Sequence, residues 1–171
     1  MKTCYVMVGL PATGKSTMAE AMLYENPLAF VYSTDAFIEE CAALNGVTYN
    51  DAFTDFIEPA TKSMNERVEV AIRSGQDVIW DQTNTGVKKR TKIVNRMRQA
   101  GYRVECHFIR PPEAGHINDQ LMWRARLDGR PGKTILEHIM KNMIENLVEP
   151  TVDEGFDQVY TYNMRGALLK D

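Results

Sequence analysis

The chain has 171 residues, 44% of them apolar and 25% charged, close to the average for soluble globular proteins. One domain of that length buries a core without disulfides or structural metal, and the apolar fraction excludes intrinsic disorder. Twenty basic against 23 acidic side chains give a net charge of −3, which argues against a nucleic-acid coat and leaves room for a local basic patch.

No apolar run approaches the roughly 18 residues of a membrane span, and residues 1–10 read as a strand rather than a signal peptide. Neither a membrane nor an export route is expected. Cys4, Cys41 and Cys106 are odd in number and widely spaced, with no zinc-ligand or disulfide pattern. A reducing cytoplasm is the expected location.

Apolar runs alternate with segments of helical period. Thr3 to Val8 reads as a strand, followed by a Gly-rich turn and a helix from Lys15 to Tyr24 that Asn26-Pro27 stops. Leu28 to Tyr32 is a second strand, ending at Ser33-Thr34-Asp35. Ala36 to Ser74 is helical, with breaks expected near Gly46 and at Pro59, and its last piece puts Ala60, Met64, Val68, Ala71 and Ile72 on one face. Asp77 to Asp81 is a short buried strand, Val87 to Ala100 a helix, and Arg103 to Ile109 a strand closed by Pro111-Pro112. Two helical stretches then surround the irregular Gly129-Arg130-Pro131-Gly132, and a final strand covers Asp157 to Tyr162. The pattern predicts a single α/β domain over 1–171: a five-stranded parallel sheet flanked by helices.

The strongest chemical signal is Gly9-Leu10-Pro11-Ala12-Thr13-Gly14-Lys15-Ser16-Thr17, which fits Gly, four residues, Gly, Lys and Ser/Thr between a strand and a helix. Glycines let successive backbone N–H groups face phosphates, and the helix N-terminus adds positive potential. The expected nucleotide contacts are Gly9, Pro11, Ala12, Thr13, Gly14, Lys15, Ser16 and Thr17. Lys15 would reach the terminal phosphates of ATP, and the Ser16 hydroxyl would hold Mg²⁺.

A kinase acting on a hydroxyl also needs a base and cations that follow the moving phosphoryl group. Asp35 is the best candidate base, because ligands of parallel sheets bind beyond the carboxyl ends of the strands. An N-cap role for the next helix is its structural alternative. Asp81 ends a strand on the same edge, where it would order Mg²⁺ through water, bond an acceptor, or serve a turn. Arg124, Arg126 and Arg130, with Lys133, mark a helical lid over roughly 113–134. From Lys88 to Arg103 every charged residue is basic, and Lys88, Lys89, Lys92 and Arg96 share one arc of the helix, either a guide for a phosphate backbone or a solvated face. Ile93, Val94, Met97 and Ala100 lie on another arc.

Taken together, Gly9 to Thr17, Asp35, and Asp81-Gln82-Thr83-Asn84 with its basic helix resemble the polynucleotide 5′-hydroxyl kinases, small phosphate-loop enzymes often encoded by bacteriophages. Pro150-Thr151-Val152-Asp153-Glu154-Gly155-Phe156 is similar to a segment near the end of the animal enzymes' kinase domain. The resemblance implies transfer of the ATP γ-phosphate to a hydroxyl with Mg²⁺. It implies Asp35 as base, Lys15 with Arg126 or Arg130 in catalysis, and Asp81, Thr83, Asn84, Lys88 and Arg90 on the acceptor side. One departure concerns the acceptor: Ile38 stands where the phage enzyme has an arginine for the acceptor's phosphate. A hydroxymethylpyrimidine of phage DNA and a small metabolite therefore stand beside a 5′-hydroxyl of DNA or RNA as possible acceptors. A nucleotide-dependent switch is the reading from another class, and no residue here is recognisably placed to position a hydrolytic water.

Overall fold

A computed structural model describes residues 1–170. Its elements run β1 (Thr3–Val8), α1 (Lys15–Glu25), β2 (Phe30–Tyr32), α2 (Thr34–Asn45), α3 (Tyr49–Arg73), β3 (Val78–Asp81), α4 (Val87–Gln99), β4 (Arg103–Ile109), α5 (Ile117–Asp128), α6 (Glu137–Asn146), a single 3₁₀ turn (Val152–Glu154), β5 (Gln158–Tyr162) and β6 (Leu168–Lys170). The sheet order is β2-β3-β1-β4-β5-β6, so β1, which leads into the Gly-rich loop, is central. Strands β1 to β5 are parallel, and β6 is antiparallel to β5.

The period of two along each strand divides the core between the two faces of the sheet. Cys4, Val6 and Val8 of β1, with Val104, Cys106 and Phe108 of β4, meet Met64 and Val68 of α3 and Ile93, Val94 and Met97 of α4. On the opposite face Met7 and Ile79 pack on Ala19 of α1. Burial pushes the Cys4 and Cys106 thiols far above their ordinary range, which leaves them protonated and unreactive.

Three expectations are corrected. The sheet has six strands, because Asn163, whose Oδ1 accepts from the Arg165 and Ala167 amides, turns the chain back into the short, exposed β6. The second strand starts at Phe30, since Pro27-Leu28 forms a turn closed by the Ala29 amide on the Asn26 carbonyl. Helix α3 also runs unbroken through Pro59. Both Pro59 and Asp55, whose carbonyl loses its helical donor, are exposed, so water replaces that bond. Meanwhile Ala52, Ala60, Met64, Val68 and Ala71 keep the other side of the helix packed.

Candidate active site

The Gly-rich loop is built for close approach. Gly14 takes φ +103° and Ala12 φ +60°, while a Cβ on Gly9 would lie 3.0 Å from Thr13 Oγ1. Thr13 is buried, its hydroxyl donating to the Leu10 carbonyl at 2.8 Å, and the Gly9 amide donates to the Thr83 carbonyl at 3.0 Å. Helix α1 begins at Lys15 with no side chain capping it, so its first amide groups face the cavity unclaimed.

Lys15 Nζ lies 2.8 Å from Asp81 Oδ1, and the Ser16 hydroxyl donates to Asp81 Oδ2 at 3.3 Å. Asp81 thus sits under the Gly-rich loop, bonded to Lys15 and Ser16. One carboxylate beside one hydroxyl is the small oxygen set that Mg²⁺ takes from a protein when substrate phosphates and water complete its shell. Ser16 and Asp81 fit such an ion.

A cavity of about 1310 Å³ joins this loop to Asp35, Glu39, Arg126, Arg130 and Lys133. The cap of α2 is Ser33, which accepts from the Ala36 amide at 3.1 Å, so Asp35 is released from that structural role. Its Oδ1 accepts from the Tyr49 hydroxyl at 2.5 Å, and its Oδ2 lies 3.4 Å from Lys133 Nζ. Lys133 also reaches Glu39 at 2.7 Å and lies 4.3 Å from the centre of the Tyr49 ring. Burial, then the neighbouring Asp35 carboxylate, pushes the Tyr49 hydroxyl far above the ordinary tyrosine range, and it remains a donor. Tyr49 and Glu39 are additions of the structure. Glu39 stands four residues after Asp35 on the same face of α2, a spacing the sequence offered, whereas nothing in the sequence marks Tyr49.

The arginines divide the work. Arg126 Nη1 donates to the Thr13 carbonyl at 3.4 Å and Nη2 to the Met164 carbonyl at 3.1 Å. Trp123 Nε1 on the same helix donates to the Pro11 carbonyl at 2.8 Å, so α5 braces the loop from outside. Arg130 differs: its Nε and Nη2 are buried with no hydrogen-bond partner. The side chain as a whole is half-buried, and two buried donors without an acceptor suit an oxyanion such as a phosphate, which takes parallel N–H groups from a guanidinium. Arg124 is exposed.

The segment after α5 rests on the start of α3. The Asn50 amide donates to the Gly132 carbonyl at 3.0 Å, and Asn50 Nδ2 to Thr134 Oγ1 at 2.7 Å. Gly132 has φ +67°, and a Cβ there would lie 2.7 Å from Thr48 Cβ. A Gly132→Ala substitution adds about 1–2 kcal/mol of left-handed strain to that clash. The population in which this segment is detached from α3 should rise by about 5–30-fold or more, read as faster tryptic cleavage after Lys133 with little change in global unfolding.

Several residues expected at the acceptor are structural. Asn84 is buried at φ +49° and donates from Nδ2 to the Met7 carbonyl at 2.8 Å. Arg90 has no exposed side-chain surface. It donates from Nε and Nη2 to Glu154 at 2.7 and 2.6 Å, and from Nη1 to the carbonyls of Asn84 and Thr85. The Glu154-Gly155-Phe156 segment is the other half of this clamp, with Gly155 at φ +104° against Val94 and Phe156 in the core. Thr83 lines the large cavity, whereas Lys88 is exposed and lines neither that cavity nor the smaller one beside it.

The AAA domain family's sequence profile matches residues 5–150. The chain belongs to that family. Among solved structures this AAA domain superimposes on a chain of the PezAT chromosomal toxin–antitoxin system of Streptococcus pneumoniae, with a TM-score of 0.71 and 16% identity over 100% of this chain and 71% of that one. A putative kinase from Chloroflexus aurantiacus gives 0.66 and 17%, over 95% and 85% of the two chains. A fungal RNA kinase gives 0.59 and 14%, over 99% and 76%. The fold of this AAA domain is therefore that of the small phosphate-loop kinases, and no helix among its described residues is long and apolar enough to cross a membrane.

Proposed function

We propose that the protein is an ATP-dependent kinase that phosphorylates a hydroxyl of a nucleic acid, a polynucleotide 5′-hydroxyl before others. The observation that carries phosphoryl transfer is Arg130: a half-buried side chain whose buried Nε and Nη2 have no acceptor, in the same cavity as the phosphate loop and a carboxylate free of capping duty. The exposed lysines of α4, which have no ion pair among the described residues, and the resemblance to polynucleotide kinases support the nucleic-acid acceptor.

In this reading the loop from Gly9 to Thr17 holds the ATP phosphates, and Lys15 leaves Asp81 for them. Mg²⁺, held through Ser16 and Asp81, would neutralise phosphate charge. The acceptor hydroxyl replaces Lys133 at Asp35 Oδ2, while Tyr49 fixes the other oxygen. Asp35 takes the hydroxyl proton as the acceptor oxygen bonds to the γ-phosphorus and the bond to the ADP oxygen breaks. Arg130 meets the charge on the transferring group, and Arg126 keeps the loop in place.

A second reading has its own observation. Asp35 and Glu39 share the cavity with the small apolar Ala42, Ala43 and Val47, while Ile38 is wholly buried beneath α3. Two carboxylates and no arginine at that position favour a neutral, hydroxyl-rich small acceptor.

Transfer from γ-labelled ATP to a panel decides between them. The panel holds 5′-hydroxyl DNA and RNA, end-blocked DNA with hydroxymethylpyrimidines, nucleosides and sugars. Label on either nucleic acid supports the first reading, and label on sugars alone replaces it. Asp35→Asn should keep ATP affinity and lose about 10²–10⁴-fold in transfer rate. Transfer near the wild-type rate would remove Asp35 as base.

A further inference from the structure

Beside the large cavity lies a second, of about 310 Å³, at the carboxyl ends of β2 and β3 between α3 and α4. Tyr32 and Trp80 form one wall, stacked with ring centres 4.1 Å apart. Lys89, Lys92 and Arg96 come from α4, and Asn65 from α3. Asn65 Oδ1 accepts from both the Tyr32 hydroxyl, at 3.1 Å, and Arg96 Nη1, at 3.4 Å. The Tyr32 and Thr61 hydroxyls of the lining already give their protons to Asn65 Oδ1 and the Ile57 carbonyl. The charged groups of the lining are all cationic, and the Asn65 amide adds two hydrogens to them. Glu69 is the nearby carboxylate, and it is spent on Arg96, whereas Lys89 and Lys92 have no ion pair among the described residues.

The two cavities share a wall. Gln82 Oε1 accepts from the Thr34 amide and hydroxyl at 3.2 and 3.1 Å, closing the partition. Thr34 directly precedes Asp35, and Gln82 directly precedes Thr83, so the neighbouring backbone positions are only about 3.8 Å apart. An acceptor chain whose terminal hydroxyl reached Asp35 would thus have the smaller cavity next to it.

We propose that this second cavity is a phosphate subsite for the acceptor strand, in which Lys89, Lys92, Arg96 and the Asn65 amide hold a backbone phosphate of single-stranded nucleic acid. The proposal rests on the nucleic-acid reading and moves acceptor recognition from Lys88 and Arg90 to the inner arc of α4. It also supplies a charge clamp in place of the one that Ile38 lacks.

The test is binding of a 3′-dye-labelled, 5′-hydroxyl thymidine oligomer to the full chain, followed by anisotropy across a salt series, with transfer kinetics alongside. Lys89→Ala and Lys92→Ala should each weaken binding about tenfold. Each should also reduce the slope of log affinity against log salt by about one, with ATP affinity unchanged. Lys88→Ala removes the same charge from the same helix outside the cavity and should alter neither quantity. Equal losses in Lys88→Ala and Lys92→Ala would mean a diffuse basic face and overturn the subsite, as would unchanged binding in the cavity variants. Oligomer phosphorylation with unchanged KM in those variants removes the subsite and leaves the kinase reading. Oligomer binding that depends on Lys89 and Lys92, without phosphate transfer to it, keeps the subsite and removes the nucleic-acid kinase. A wild-type chain that does not bind the oligomer removes both.

Discussion

Arg130→Ala is expected to bind ATP nearly as well as the wild-type chain and to lose about 10³-fold or more of its phosphoryl-transfer rate, the scale of a positioned arginine in such chemistry. The reason is the state of its half-buried guanidinium, which lines the cavity with Nε and Nη2 buried and unsatisfied. Such donors gain most when charge develops in front of them. Arg130→Lys should recover little, because an ammonium does not offer two parallel donors in a fixed plane. Arg126→Ala provides the contrast. Its bonds go to the Thr13 and Met164 carbonyls, so its loss should loosen the loop, raise KM for ATP and lower Tm. Single-turnover rates and ATP binding measured on both variants check the division. If Arg126→Ala loses turnover with ATP binding intact while Arg130→Ala loses ATP binding, the two roles are reversed.

The second large effect is on stability. Removing one partner of a buried ion pair strands the other, at a cost of about 3–5 kcal/mol. Arg90 and Glu154 are such a pair, and Arg90 holds two further backbone carbonyls. Glu154→Ala should therefore lower Tm by about 6–20 °C for a chain of this size. Arg90→Met/Glu154→Leu should lie closer to wild type than either single change, because no buried charge is left unpaired. Thermal unfolding of the three variants is the measurement. A Glu154→Ala chain that melts like wild type but has a raised acceptor KM would return Arg90 to the acceptor side.

Arg90 also shows where the sequence could be read and where it could not. It precedes Ile93, Val94 and Met97 by three, four and seven residues, which is the spacing of the buried stripe of α4. The position was legible. The partner that makes a buried arginine affordable is 64 residues away, and no local pattern announces it. Strands β1, β3, β4 and β5 and the Gly-rich loop were legible because strong local rules, period-two burial and a glycine requirement, set them, whereas turns decided the start of β2 and the existence of β6. Pro59 misled because proline breaks a helix by default, whereas here tertiary packing on one side and solvent on the other carry α3 past it. Tyr49 and Lys133 meet Asp35 only through the packing of α3 and the segment after α5 onto α2, whereas Glu39 follows Asp35 by one turn of its own helix. The second cavity likewise exists only because α3 and α4 face each other across Trp80.

The pairing of β1 with β3 and β4 has a consequence for the order in which a growing chain gains its properties. Cys4 is in register with Val78 on one side and Val104 on the other, and the Gly9 amide waits for the Thr83 carbonyl. The loop motif is synthesised well before the residues that its shape depends on, Thr83 and Trp123 included. Contacts of such long sequence separation form late, after their loop-closure entropy has been met. An amino-terminal fragment ending at Glu25 would carry the whole phosphate signature and no nucleotide site. Nucleotide recognition here belongs to the finished sheet and not to the motif.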